Sequence, residues 1–415
     1  MREKAISVID LKAFYSFVEC LDRGLDPFTT PLVVADKDRG KNTIVLSVTP
    51  YLKAKGIPSR LRIKELPKGI NYIYATPRMA RYIEKSSDVI SILLDFVDEM
   101  DIHVYSIDEA FLDLTTYLNY YKLTPLELVK KILKTIKDKT GLTATAGIGP
   151  NFFLAKVALD VYAKKEKDGI ATLQEKDIET KLWTISDLTS VWGIGEKTAA
   201  KLNAIGIHNM RDLAHCNRNY IISSFGIMGE QLIDMANGKD ESNIREVYIP
   251  KSKSLTSGQA LFKDYSASEI ITVIREMCDD LSLRMRNENK LTSVVSLYIG
   301  YSKNVGGFSR QMSLLRPTDN VDIIFDVLLD IFYKHIKDYP IRNVGMCFGG
   351  LVENKHIEQL DLFTDPEKME QQRNLQAMID LLHNKYDKNI ILRASAFTEE
   401  STIRERHNQI GGHRK

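Results

Sequence analysis

Cysteine is scarce in this chain: four among 415 residues, at Cys20, Cys216, Cys278 and Cys347. They stand far apart, with no CxxC pair and no histidines gathered nearby. That argues against a zinc site or a disulfide framework and for free thiols in a reducing cytoplasm. Long apolar runs are missing as well, so no segment reads as a membrane span. The start, MREKAISVID, has too short an apolar run for a signal peptide. An excess of one charge is absent: 57 Lys+Arg face 55 Asp+Glu, for a net +2. That balance neither demands nor excludes nucleic acid, and any basic surface must be local. Internal repeats and low-complexity tracts are absent too. The expectation is a soluble, cytoplasmic, globular chain.

What is present suffices for two to four domains, with 44% hydrophobic and 27% charged residues. Ala5–Ile9 is a short apolar run that reads as a buried strand ending at Asp10. Residues Phe14–Leu21 read as a helix stopped by Gly24 and Pro27. Pro31–Asp36 and Thr43–Val48 read as short strands. A helix is expected after Pro77, and another after Pro125. Between them His103–Leu114 reads as two strands folded back at Asp108–Glu109. Thr143–Ile148 is a further strand and Asn151 opens a further helix. This order predicts an α+β sheet with helices on one face. Residues 175–240 show short helical patterns and glycine turns, and 241–253 are polar and linker-like. A second α+β unit follows: strands at Thr256–Leu261, Ser293–Tyr301, Phe308–Leu314 and Ile341–Phe348, with helices at Ala267–Met285 and Val321–His335. The stretch 351–415 reads as a polar tail with one apolar knot at Gln359–Phe363.

Three carboxylates stand out. Asp10 ends a buried strand, and Asp108 and Glu109 sit at a strand junction; both places aim acids at a point above a sheet. Neighbouring residues of a regular strand face opposite ways, so Asp108 and Glu109 share a site only if the chain bends there. Alone, an Asp-Glu pair reads more plainly as a solvated turn. Nucleotidyl transfer needs little else from a protein than two divalent cations about 3.5–4 Å apart. Magnesium keeps its waters, so two or three carboxylates suffice to hold them.

The segments IDLKAFYSFVE (Ile9–Glu19) and YSIDEAFLDL (Tyr105–Leu114), with their spacing, resemble the two metal motifs of the Y-family DNA polymerases. The nearest likeness is to the bacterial UmuC-like branch, of ImpB/MucB/SamB type, and it runs from residue 5 to the tail. It implies a right-hand polymerase. The ferredoxin-like palm would take 1–19 and 77–165, small fingers 20–76, and a helix-hairpin-helix thumb 166–240. A linker at 241–252, an α+β little finger at 253–350 and a tail at 351–415 complete it. It further implies a low-fidelity translesion enzyme of the SOS response to DNA damage, with two Mg2+ ions on Asp10, Asp108, Glu109 and the Leu11 carbonyl. Lys12 stands where many relatives carry an acidic or amide residue. Phe14 and Tyr15 open the nucleotide pocket, Tyr15 as the gate against a ribose 2′-OH. Where relatives grip the triphosphate with a tyrosine and an arginine, this chain has Pro50 and Lys53. A point charge there replaces a bidentate fork. Ser47 contributes, and Lys164, or Lys165 beside it, supplies the second cation.

VWGIGEKTAAKL resembles a helix-hairpin-helix: Gly193 and Gly195 bring backbone N–H groups to a DNA phosphate, and Lys197 and Lys201 add charge. As a bare pattern it is equally a helix-capping turn; Phe225–Gly229 is a weaker second turn. Lys251, Lys253, Arg284, Arg286, Lys290, Lys303 and Arg310 are candidate backbone contacts of the little finger. Gln359, Leu360, Leu362 and Phe363 match a bacterial sliding-clamp peptide, against the alternative of an apolar cluster folded back on the little finger. Expected partners are primer-template DNA, dNTP and the clamp, with a UmuD-like protein and a recombinase filament as further ones, and no membrane. Competing functions are a two-metal repair nuclease, a non-catalytic DNA-binding or regulatory protein, and a catalytically weak subunit dependent on a UmuD-like partner.

Overall fold

The computed structural model describes residues 4–246, 249–250, 253–303, 305–355 and 366–415, without the side chains of Pro366, Lys368 and Met369. The chain divides into two compact units, Met1–Tyr248 and Ile249–Lys415. Among the described residues no helix is long and apolar enough to cross a membrane.

The first unit runs β1 (Ile6–Leu11), α1 (Phe14–Asp22), β2 (Leu32–Val34), β3 (Ser47–Val48), α2 (Pro50–Ala54), β4 (Ile73–Ala75), α3 (Met79–Leu94), β5 (Ile102–Ser106), β6 (Glu109–Asp113), α4 (Tyr117–Tyr121), α5 (Pro125–Thr140), β7 (Ala144–Gly149), α6 (Phe152–Val157) and β8 (Ile170–Thr172). Its main sheet has the order β5-β6-β1-β7-β8, with β1 antiparallel to both neighbours. Ile6 and Val8 of β1 share a face with Phe111 of β6, and Phe152, Ala155 and Leu159 cover that face. With a period of two, Asp10 lies on the same face, at its end. The helix can press this close because β7 is glycine-bearing. A Cβ on Gly147 would stand 2.0 Å from the Ala155 carbonyl oxygen, and one on Gly149 2.6 Å from the Ala155 nitrogen.

α5 carries its own start and stop signals. Thr124 and Glu127 form a capping box, Pro125 occupies the first turn, and Gly141 ends it at φ 75°. A smaller sheet has the order β3-β2-β4. Sequence reading missed β4, and it overextended Thr43–Val48, where Ile44 makes only an isolated bridge to Arg62.

Four short helices follow: α7 (Glu196–Ala204), α8 (Met210–His215), α9 (Arg218–Phe225) and α10 (Ile227–Ala236). They gather around Leu188, Val191, Leu202, Leu213, Ile221 and Leu232. The predicted linker begins anchored: Arg245 clasps the buried Asp101 with two hydrogen bonds of 2.8 Å.

The second unit is β9 (Leu255–Tyr265), α11 (Ile270–Asn287), β10 (Lys290–Tyr301), β11 (Gly307–Thr318), α12 (Val321–His335) and β12 (Ile341–Gly349). The antiparallel sheet has the order β11-β10-β12-β9, and β13 (Val352–Glu353) adds to β10. Leu297 and Phe348 of the sheet share a core with Val273, Met277, Leu281 and Phe332 of the two helices.

The polar reading of the stretch beyond 350 needs correcting. It contains α13 (Pro366–Lys385), α14 (Ile403–His407) and the hairpin β14 (Gln409–Ile410) and β15 (His413–Arg414). These are fastened to α11 by polar pairs that carry no hydrophobic period. Asp279 takes Arg393 at 2.7 Å and Asp280 takes His407 at 2.9 Å. The buried Glu276 accepts the Thr402 backbone N–H at 3.0 Å.

Candidate active site

The hairpin β5–β6 turns through Ile107 and Asp108, and its register shifts between Val104 and Ser106. This bend removes the obstacle that adjacent strand residues face apart. Glu109 opens β6 directly opposite Asp10 of β1, so both side chains leave the same face. The Leu11 N–H donates to the Asp108 carbonyl at 2.9 Å, tying the turn to the end of β1. Ser106 Oγ donates to Asp108 Oδ1 at 2.7 Å. Asp10, Leu11, Asp108 and Glu109 therefore occupy one strand end.

Electrostatics agree. Burial pushes the Asp10 carboxyl up to about 6; Lys164 and Lys156 oppose it, and the charges of Asp108 and Glu109 add to it. Glu109 is also pushed up by burial, against the pull of Lys156. Acids raised by burial and by one another form a set that a cation relieves, and hard carboxylate oxygens suit Mg2+. The donor set fits the ion, although among the described residues no three acidic, histidine or cysteine side chains are already closed into a cage.

Sequence reading passed over Lys156. It is only 5% exposed, its Nζ lies 2.6 Å from Glu109 Oε1 and 3.1 Å from Asp160 Oδ2, and Tyr105 stands at 5.9 Å. Asp160 also holds Lys164 at 2.8 Å. The signal was there in a lysine enclosed by apolar residues, FFLAKVAL, four places before an aspartate.

The nucleotide candidates separate. Tyr15 keeps a half-covered ring 4.6 Å from that of Tyr82, and burial followed by the Asp108 charge pushes its hydroxyl pKa up. Phe14, at 2% exposure, is core. Ser47 is buried and occupied: its Oγ donates to Ser16 Oγ at 3.0 Å and to the Ala13 carbonyl at 3.3 Å. Ala13 adopts a left-handed conformation, φ 47°, between Leu11 and Tyr15, and these hydroxyls steady it. Lys53 is exposed on α2, yet burial of its ammonium lowers its pKa, against the charges of Asp10 and Asp108. It thus lies within the field of the acids, as does exposed Lys164. Pro50 starts α2.

In the glycine turn, Gly193 has φ 90° and Gly195 caps α7 with open space over its Cα. Lys197 is exposed. Lys201 instead bends onto the Ser224 carbonyl and over the Phe225 ring, so its charge is already engaged. Gly226, at φ 62°, joins α9 to α10. Trp192 Nε1 donates to the Tyr105 hydroxyl at 3.1 Å, joining this turn to β5. In the second unit Arg286 is taken by Asp380 at 2.6 and 3.0 Å and Lys290 by Glu353, while Arg284 donates to the Thr256 carbonyl at 3.2 Å. The acids that hold Arg286 and Lys290 come from the stretch read as a tail. Arg310 donates to the carbonyl of its neighbour Ser309 at 2.9 Å, and Lys253 and Lys303 remain, with Lys303 at φ 56°. Lys251 and the peptide Gln359, Leu360, Leu362 and Phe363 lie outside the described residues.

Residues 9–160 match the impB/mucB/samB family, 175–207 the family's HHH motif and 252–362 its C-terminal domain. UvrX of Bacillus subtilis (strain 168), named for UV-damage repair, is 35% identical over 99% of this chain and 98% of its own. DNA polymerase IV 2 of the same organism is 31% identical over the whole of both chains. DNA polymerase IV of Pelotomaculum thermopropionicum is 29% identical over 97% of each. A solved Y-family DNA polymerase chimera superposes with a TM-score of 0.68, 22% identity, over 84% of this chain and all of its own. The chain belongs to the impB/mucB/samB family and carries the Y-family DNA polymerase fold.

Proposed function

We propose that the chain is a translesion DNA polymerase that adds deoxynucleotides to a primer 3′ end at the Asp10–Asp108–Glu109 site. The observation that carries this is the in-register pairing of Asp10 with Glu109, with Asp108 in the turn beside them. The full-length likeness to proteins named DNA polymerase IV supports it. Asp10, Asp108, Glu109 and the Leu11 carbonyl would hold two Mg2+ ions, which supply charge stabilisation to the attacking and leaving oxygens. Tyr15 lies beneath the incoming sugar and leaves no room for a 2′-OH. Lys53 and Lys164 face the triphosphate as point charges, with Pro50 offering no hydroxyl. The main sheet of the first unit serves as palm, the β2–β4 region as fingers and α7–α10 as thumb. There the Gly193–Gly195 turn takes a DNA phosphate, and the second unit acts as little finger.

Low fidelity, a role in the SOS response, the bacterial sliding clamp at Gln359–Phe363, a UmuD-like partner, a recombinase filament and a cytoplasmic setting complete the proposal. Four free cysteines suit that setting. No observation favours the nuclease reading. The test is extension of a primer by the purified chain over an abasic template, with Mg2+ and dNTP and with or without clamp. Products longer than the primer support the proposal; shortening of the primer overturns it.

A further inference from the structure

We propose that Lys156 is a resident counter-ion of the acidic site, holding Glu109 where a divalent cation is to bind, and that Asp160 receives its ammonium when the cation arrives. The inference rests on the acidic-site reading above and concerns this chain's own residues.

A buried lysine needs a partner, and Lys156 has two within reach of one ammonium: Glu109 at 2.6 Å and Asp160 at 3.1 Å. Glu109 Oε1 has no well-formed hydrogen bond besides this ion contact. Without Lys156 its buried carboxylate would stand uncompensated beside Asp10. Asp160 lies one turn further along, inside a widened π-turn, Ala158–Tyr162, that continues α6. Such turns are rare and concentrate at functional sites. Here the turn sets Asp160 between Lys156 and the exposed Lys164. A shift of the flexible lysine stem exchanges one carboxylate for the other and breaks no covalent bond. The close seat of α6 on Gly147 and Gly149 fixes the helix from which Lys156 reaches.

The experiment is Mn2+ binding to the full chain by calorimetry, without DNA or nucleotide, backed by thermal unfolding with and without Mn2+. Asp10→Asn tests the acidic site itself: unchanged Mn2+ binding in that variant would sink the site reading. Lys156→Met removes the competing cation and should tighten Mn2+ binding about tenfold, a difference of about 1.4 kcal/mol. It should also unfold earlier without Mn2+ and regain more from it than the wild type does. Asp160→Asn confines the ammonium to Glu109 and should weaken Mn2+ binding by a similar factor. A purely structural lysine would move both variants the same way, toward weaker binding. If Asp10→Asn loses Mn2+ while Lys156→Met binds it no more tightly than the wild type, the counter-ion role is overturned. Should Lys156→Met not fold, unchanged Mn2+ binding by Asp160→Asn overturns it instead.

Discussion

Tyr15 sits between two demands. Its ring is braced by Phe14 and Tyr82, with centroids at 5.7 and 4.6 Å, and its hydroxyl lies in the field of Asp108. In the proposed function this braced flat ring discriminates by exclusion, which a smaller residue would not imitate. Tyr15→Ala is expected to reduce the preference for dNTP over rNTP by about 10-fold to 100-fold, given the 1–3 kcal/mol that pocket contacts discriminate. Single-nucleotide incorporation assays with each sugar check this, and unchanged selectivity would remove the gate. The pair Lys197 and Lys201 offers a second residue-scale contrast. Lys201 is held by Ser224 and Phe225, whereas Lys197 is exposed. Lys197→Ala should therefore reduce the salt dependence of DNA binding by about one phosphate contact, with a smaller effect from Lys201→Ala. Equal slopes in a salt titration would contradict the assignment.

At the scale of elements, the site depends on how α6 lies on β7. Gly147→Ala would force a Cβ to within 2.0 Å of the Ala155 carbonyl, so the helix must move. Overpacking of this kind costs about 1–3 kcal/mol, and Lys156 would move with the helix. Chemical denaturation should show the loss, and a Gly147→Ala variant as stable as the wild type would contradict the packing.

The elements also show which parts of the site the sequence makes readable. The strand pattern placed Asp10 at a strand end and Asp108 and Glu109 at a bend, but it was the likeness of Ile9–Glu19 and Tyr105–Leu114 to the Y-family metal motifs that singled them out from a solvated turn. Lys156 was legible only in part: its apolar flanks and Asp160 one turn along mark it, but its partner Glu109 lies 47 residues away in the chain. Ser47 was expected to help hold the triphosphate, and the sequence carries no sign that its hydroxyl is engaged with Ser16 and the left-handed Ala13. β4 is three residues long with an exposed Ile73, too short for a period to show. Of the elements after 365, α13 carries Leu375, Met378, Ile379 and Leu382 at helical spacing and was overlooked in a stretch read as polar, whereas α14 docks largely through charges. Arg286 was assigned to DNA for the same reason: its partner Asp380 sits in α13.

For the whole molecule, the second unit carries its own acid-sensitive clasp. Burial pushes Asp280 up, but His407 and Arg406 outweigh it and hold the carboxyl down at about 2. A carboxyl depressed on folding contributes stability that is fully present above its unfolded value near 4. That stability is lost as pH falls through about 2, and the shift amounts to about 2 kcal/mol. Hydrogen exchange in Ile270–Asn287 and Ile403–His407 should rise over that window, and Asp280→Asn should abolish the pH dependence. Exchange with no acid response would show that the clasp does not hold.

The central claim is that Asp10 and the pair Asp108–Glu109, distant from it in the chain, make one polymerising centre. Its most direct measurement is primer extension by Asp108→Ala alongside the wild type, with primer-template affinity measured on the same samples. Loss of metal-borne charge stabilisation of several kcal/mol predicts extension reduced by about a thousandfold or more. DNA affinity, which the proposal assigns to the Gly193–Gly195 turn and the second unit, should stay within a factor of about two, the size of a few tenths of a kcal/mol. Extension retained at near wild-type rate by Asp108→Ala would contradict the account.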